Sequence, residues 1–202
     1  MPNTAANVSV GKPKAGGAVF RADTSATLPT NATSTLDSAF ACMGHISDDG
    51  WTSSLSRESS DIKAWGGETV LTTQTSKKET VQMTFIEILN TEVLEALHGD
   101  DNVSGTLQTG LTILENAKEL PEKAWVIETV LTGNVLSRKV LPRGKITEVG
   151  DIVYKDDEPI GVEATITALP DSSGNSSYEY IKASAASGTS GTSGTSGTSG
   201  TQ

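Results

Sequence analysis

The chain has 202 residues, 35% of them apolar and 4% aromatic, with a formal charge of −10 and a pI near 4.6. That length carries one core of ordinary size rather than two, and the acidity excludes a conventional nucleic-acid-binding face, which neutralises phosphates with clustered Lys and Arg. Fifty residues are Ser or Thr, a mixture suited to strands with one wet face, so a mostly β chain is expected.

Residues 1–18, beginning "MPNTAANVSVGKPKAGG", are small, polar and broken by Gly and Pro, and read as an arm that is disordered unless a partner ties it down. They lack the apolar centre of a signal peptide, and no run of 18 apolar residues follows to span a bilayer, so a cytoplasmic start with no membrane segment is expected. "GAVFRAD" is a short candidate strand. Leu36, Phe40 and Met43, spaced by four and three, suggest a helical turn before a brief strand from Met43 to Ile46. Asp48-Asp49-Gly50 then turns the chain.

Trp51 to Gly67, "WTSSLSRESSDIKAWGG", alternates weakly and is bracketed by two of the three tryptophans. It reads as part of a long loop over 48–67, and loops of such length inside a compact domain are usually functional or mobile. The bland alternative is a lid, with both indoles folded back on the core. "ETVLTTQT" and "TVQMTFIEIL" then read as a β-hairpin around a charged turn, "SKKE". "NTEVLEALHGDDN" predicts a helix over about 91–98, with Thr91 as N-cap, Val93, Leu94 and Leu97 on one stripe, acidic Glu92 and Glu95 near its positive end, and Gly99 as its stop.

"VSGTLQTGLTIL" is strand-like with glycine interruptions, and "KAWVIETVLTGNVLSRKVL" reads as two strands around Gly133-Asn134. "KITEVGDIVY" and "IGVEATITAL" follow as further strands. In the last, Val162, Ala164, Ile166 and Ala168 share one face against Glu163, Thr165 and Thr167. Residues 19–183 thus form the β domain. Residues 184–202 end in five Ser-Gly-Thr triplets, with no side chain large enough to pack, and read as a flexible tail, either an engineered linker or a spacer for an added module. The segment 187–202 is expected to be mobile on an outer surface.

No catalytic constellation emerges. His45 and His98 stand in no ligand spacing, and Cys42, the single cysteine, excludes an internal disulfide or multi-Cys metal site and sits in "FACMG" among apolar neighbours, the setting of an inert buried thiol. "KAGG" and "WGGE" lack the strand, helix and Lys-Ser/Thr context of a phosphate loop. "DDNVSG" and "SDDGW" miss the calcium-loop spacing. Sequons at Asn7, Asn31, Asn102 and Asn175 are expected by chance in a chain this rich in Ser and Thr. Neither catalysis, metal nor cofactor is expected, and the function is read as residing in the shape.

The ordered block of "LPTNATSTLDSAFACMGHISDDGW", "SRESSDIKAWGGETVLTTQTSKKETVQMTFIEILNTEVLEALHGDDN" and "GVEATITALPD" resembles the major tail tube proteins of long-tailed bacteriophages, particularly those of actinobacterial hosts, from about Val19 to Ala183. The resemblance implies two antiparallel sheets in a β-sandwich or small barrel with one flanking helix, a fold shared with type VI secretion tubes. It further implies hexameric rings stacked into a virion tube that conducts the phage genome, with a tape measure protein in the lumen and terminator and baseplate proteins at the ends. Trp51, Arg57, Asp61, Lys63, Trp65, Gly66 and Gly67 are then candidates for contact between rings, and Glu128 and Glu163 for a carboxylate-rich lumen that phage DNA passes without binding. A different class, an extracellular β-sandwich binding module on a Ser-Gly-Thr stalk, is the alternative reading, and a small hydrolase on a β scaffold lacks the residues to act.

Overall fold

A computed structural model describes residues 3–184. Its elements in chain order are β1 (Gly11–Pro13), β2 (Val19–Asp23), β3 (Ala41–Cys42), β4 (Ile46–Lys63), β5 (Thr69–Phe85), α1 (Thr91–His98), β6 (Val103–Thr106), β7 (Gly110–Ile113), β8 (Lys123–Leu131), β9 (Val135–Val149), β10 (Val162–Leu169) and β11 (Tyr178–Ala183). All pairings are antiparallel. One sheet has nine strands, in the order β3-β2-β8-β9-β10-β5-β4 with β1 added on β8 and β11 on β9; the other is the two-stranded β6-β7.

The long strand β9 turns the nine-stranded sheet into a sandwich. Its first half pairs with β8 and β11, and its second half, from Arg143 to Val149, pairs with β10. The two halves of the sheet then share one core. Val19, Trp125, Ile127 and Leu141 enter it from the β2-β8-β9 side, and Val81, Met83, Phe85 and Ile166 from the β10-β5 side. Each apolar side chain removed from water there contributes roughly 1.5–3 kcal/mol. The strict alternation of β10 is realised, with Val162, Ala164, Ile166 and Ala168 buried.

α1 closes one side of this core with Val93, Ala96 and Leu97. Its N-cap is Asn90 rather than Thr91, since the Asn90 side chain accepts the Glu92 N–H at 3.1 Å, while Gly99 ends it at φ 99°. Arg21 of β2 reaches Glu92, Glu95 and Asp100, which ties the helix to the sheet. A second cluster on the other face of the first half contains Phe40, Ala124, Val126 and Val140, covered by Leu28 and Leu36 of the β2–β3 connection.

Beyond the N-cap, further expectations are corrected. The strand expected from Met43 to Ile46 falls at Ala41–Cys42, Cys42 is exposed rather than buried, and "KITEVGDIVY" is no strand of its own, its first residues continuing β9 to Val149. The segment over 48–67 is not a long loop: Ile46–Lys63 is a strand, paired with β5 through Lys63↔Thr69. "SKKE" is not a hairpin turn, because Ser76 to Glu79 lie inside β5 and the real turn falls at Ala64–Glu68, where Gly67 N–H donates to Ala64 C=O at 3.0 Å. The residues before Phe40 make a single hydrogen-bonded turn and no helix: Phe40 N–H donates to Asp37 C=O at 3.0 Å, and the Asp37 carboxylate accepts the Ala39 and Thr27 N–H groups. The N-terminal arm is tied to its own body over Gly11–Pro13, which pair with Thr129–Leu131 of β8. The Ser-Gly-Thr tail lies outside the described residues.

Candidate assembly surfaces

β5 stays beside β10 as far as the Glu79↔Ala168 pair. Beyond it, among the described residues, β4 and β5 run on with no third strand, as a ribbon of about 30 Å at 3.3 Å per residue. Such an arm has two wet faces and no core of its own, and an isolated hairpin of this kind is marginally stable in water. Its base is anchored. Lys139 Nζ lies 2.8 Å from Glu79 Oε1, both side chains being buried, and Ser176 and Ser177 donate to the same carboxylate at 2.5 and 2.6 Å. Burial alone would raise the Glu79 carboxyl, but the hydrogen bonds from Lys139, Ser176 and Ser177 outweigh it and hold the group at about 2.

Of the seven residues expected at a ring contact, six fall on this arm and Trp51 lies just below it, and their settings differ. Trp51 is half-buried at the root, packed against the core, with its Nε1–H donating to Thr129 Oγ1 at 3.2 Å. Arg57 stands opposite Lys77, a like-charge pair that sheets disfavour; the two are drawn apart by Gln74, 2.9 Å from Arg57, and Ser176, 3.0 Å from Lys77. Asp61 accepts from Thr72 across the ribbon at 2.7 Å, and Lys63 is the last paired residue of β4. Trp65 stands fully exposed at the tip. Gly66 and Gly67, at φ 112° and 93°, occupy the left-handed region that glycine tolerates. The lid reading therefore fails for Trp65 within the subunit and holds in part for Trp51.

Sequence reasoning missed the apolar side chains that accompany Trp65. Leu55, Ile62, Val70 and Leu71 are all exposed on the arm, and Ile62 and Leu71 are cross-strand partners. It also missed a cleft of about 1280 Å³ at the opposite end of β4, bounded by Gly11–Ala18, by Gly44–Trp51 and by Thr129 and Leu131. Four residues, Ser47 to Gly50, bulge from β4 at that wall, between the Ile46↔Phe85 and Trp51↔Met83 pairs.

The two lumen candidates separate. Glu128 does not stand on a wet face: it is buried, paired with Arg138, its direct cross-strand neighbour, and with Lys14 at 2.5 Å. That pairing neutralises its charge and pins the N-terminal arm. Glu163 is exposed and accepts from Gln82 at 2.8 Å. It belongs to the outward face of β4, β5, β10 and β9, where register aligns Ser54, Thr80, Thr167 and Lys145 in one row and Thr52, Gln82, Thr165 and Glu148 in the next. The face is mostly hydroxyl and amide rather than carboxylate. Its cations Arg143 and Lys145 are covered by Glu122 at 2.8 Å and Glu119 at 2.6 Å, from the segment before β8.

Among the described residues no group of three or more His, Cys, Asp and Glu could hold a metal ion, and no helix is long and apolar enough to cross a membrane. A β-sandwich with one flanking helix, a projecting two-stranded arm and a hydroxyl-rich sheet face whose cations are paired defines the class of a structural protein whose working parts are surfaces. The family model described as phage tail tube protein matches residues 5–191. The chain belongs to the phage tail tube protein family and is a structural component of the virion tail. A comparison with curated proteins finds no match.

Proposed function

We propose that this chain closes into rings, six subunits in each, and that the rings stack through the β4-β5 arm into the conduit for genome delivery. The observation that carries the reading is the arm itself: a ribbon with five exposed apolar side chains, Leu55, Ile62, Trp65, Val70 and Leu71, anchored rigidly at its base. A lone subunit gains nothing from exposing these groups, whereas a neighbour removes them from water. The open edges of β4 and of β1 would each pair or be covered in a closed ring, which removes the aggregation hazard of free edges. Head-to-tail contacts of this heterologous kind extend into a filament.

In this reading the Ser54-Thr80-Thr167 face and Glu163 line the bore, and a tape measure protein and then phage DNA occupy it without specific binding. Terminator and baseplate proteins close the ends, the role is non-catalytic, and the subunit is made in the host cytoplasm before assembly. A chain whose arm is shortened between Arg57 and Gln74 tests the proposal. It is expected to fold, since the core lies below Glu79, and to remain unassembled under conditions where the full arm gives tubes. Polymerisation of the shortened chain like the parent overturns the reading.

A further inference from the structure

We propose that the cleft bounded by Gly11–Ala18, Gly44–Trp51 and Thr129–Leu131 is the receptor for the arm tip of a second copy of this chain, with the Trp65 indole as the inserted group. The inference deepens the stacking reading and rests on it. Donor and acceptor belong to the same strand pair. The tip lies where β4 hands over to β5, at Ala64–Glu68, and the cleft lies where β4 begins and β5 ends, beside Ile46, Trp51 and Glu87. The 17 residues of β5 separate them by on the order of 50 Å. A copy translated along that strand direction brings its tip to the cleft of the next, and the contact repeats without closing on itself.

Charge favours this occupant. Residues 52–78 carry four cations, Arg57, Lys63, Lys77 and Lys78, against three anions, Glu58, Asp61 and Glu68; the remaining chain has 11 cations against 22 anions. The arm is thus slightly positive on a strongly negative body, and the cleft lining is acidic on balance, with Asp48, Asp49, Glu87 and Glu128 against Lys12 and Lys14. An arm laid on a neighbour meets attraction where two bodies alone would repel. The fully exposed Trp65 indole supplies the apolar area such an anchor needs, ~150–250 Å² when buried.

Cys42 makes the inference directly testable, because the chain's single cysteine is exposed and lines the cleft. In an Ala64→Cys chain each copy carries one thiol at the tip and one in the cleft. Tubes of this variant, verified by electron microscopy and treated with a short bismaleimide, are expected to give a ladder of covalent oligomers on a denaturing gel. The ladder should vanish when Cys42→Ser is added. The unaltered chain supplies a second measurement: Cys42 should react with maleimide in free subunits and be protected at least tenfold in tubes. Tubes that form but give no ladder, or that leave Cys42 equally reactive, overturn the cleft assignment while leaving the tube reading intact. Absence of tubes in the unaltered chain defeats that reading first.

Discussion

The indole of Trp125 lies directly over Gly144: its Nε1–H donates to the Gly144 carbonyl at 3.2 Å, and a Cβ built on Gly144 would stand 2.6 Å from Trp125 Cδ1 and 2.9 Å from Ile166 Cγ2. Gly144 is also where β9 passes from pairing with β8 to pairing with β10. The bare backbone at this position lets the two halves of the sandwich close on one buried tryptophan. Gly144→Ala is therefore expected to destabilise the subunit by about 1–3 kcal/mol through overpacking. Chemical denaturation measures it, and an unchanged midpoint would contradict the packing account.

The Glu79–Lys139 pair predicts an acid limit. The folded carboxyl is held at about 2, below its ordinary 4.5, so its contribution is fully present above pH 4.5 and is lost as the pH falls through about 2. The Glu79→Gln chain should lose on the order of 2 to 3 kcal/mol relative to the parent at neutral pH, with the difference shrinking toward pH 2. Parallel stability curves for the two chains over pH 2–7 would refute this role.

Trp51 and Trp65 should respond oppositely to truncation. Trp51→Ala removes a half-buried indole packed on the core, and is expected to lower subunit stability by about 1–3 kcal/mol. Trp65→Ala touches no core and should leave the melting transition within about 0.5 kcal/mol while weakening each subunit contact by on the order of 2 kcal/mol. Thermal denaturation read beside sedimentation of assembled material separates the two; equal loss of stability in both variants would be evidence against the exposed tip.

The masked cations on the Thr-rich face carry a prediction about DNA. Lys145 holds the Glu119 carboxyl below its usual range, and that pair, with Arg143–Glu122, leaves little positive charge for a passing phosphate. Glu119→Gln with Glu122→Gln should raise retention of double-stranded DNA by the subunit severalfold at low salt, with the gain disappearing as salt rises. No gain at any ionic strength would count against the masking role.

The parts of this fold that face a core were legible in the sequence. β10 declared itself by Val162, Ala164, Ile166 and Ala168, α1 by its apolar stripe and Gly99, and the β8–β9 turn by Gly133 and Asn134, both of which adopt positive φ, 76° and 59°. The arm was illegible because it has no core to write an alternation: "TSSLSRESSDIK" is wet on both faces, so its strand character comes from pairing with β5 alone. Lys77, Lys78 and Glu79 looked like a turn because charges inside a strand make sense only once Ser176 and Lys139 are brought beside them from ~60–100 residues away in sequence. Glu128 misled for the same reason, since its pairing with Arg138 depends on strand register, which residue types alone do not specify.

The central claim is that this chain builds a tube from itself, and negative-stain electron microscopy of the concentrated purified protein tests it most directly. The account predicts hollow rods of uniform width with six-fold rings in end view. A monodisperse monomer at every concentration and salt condition tried would contradict it.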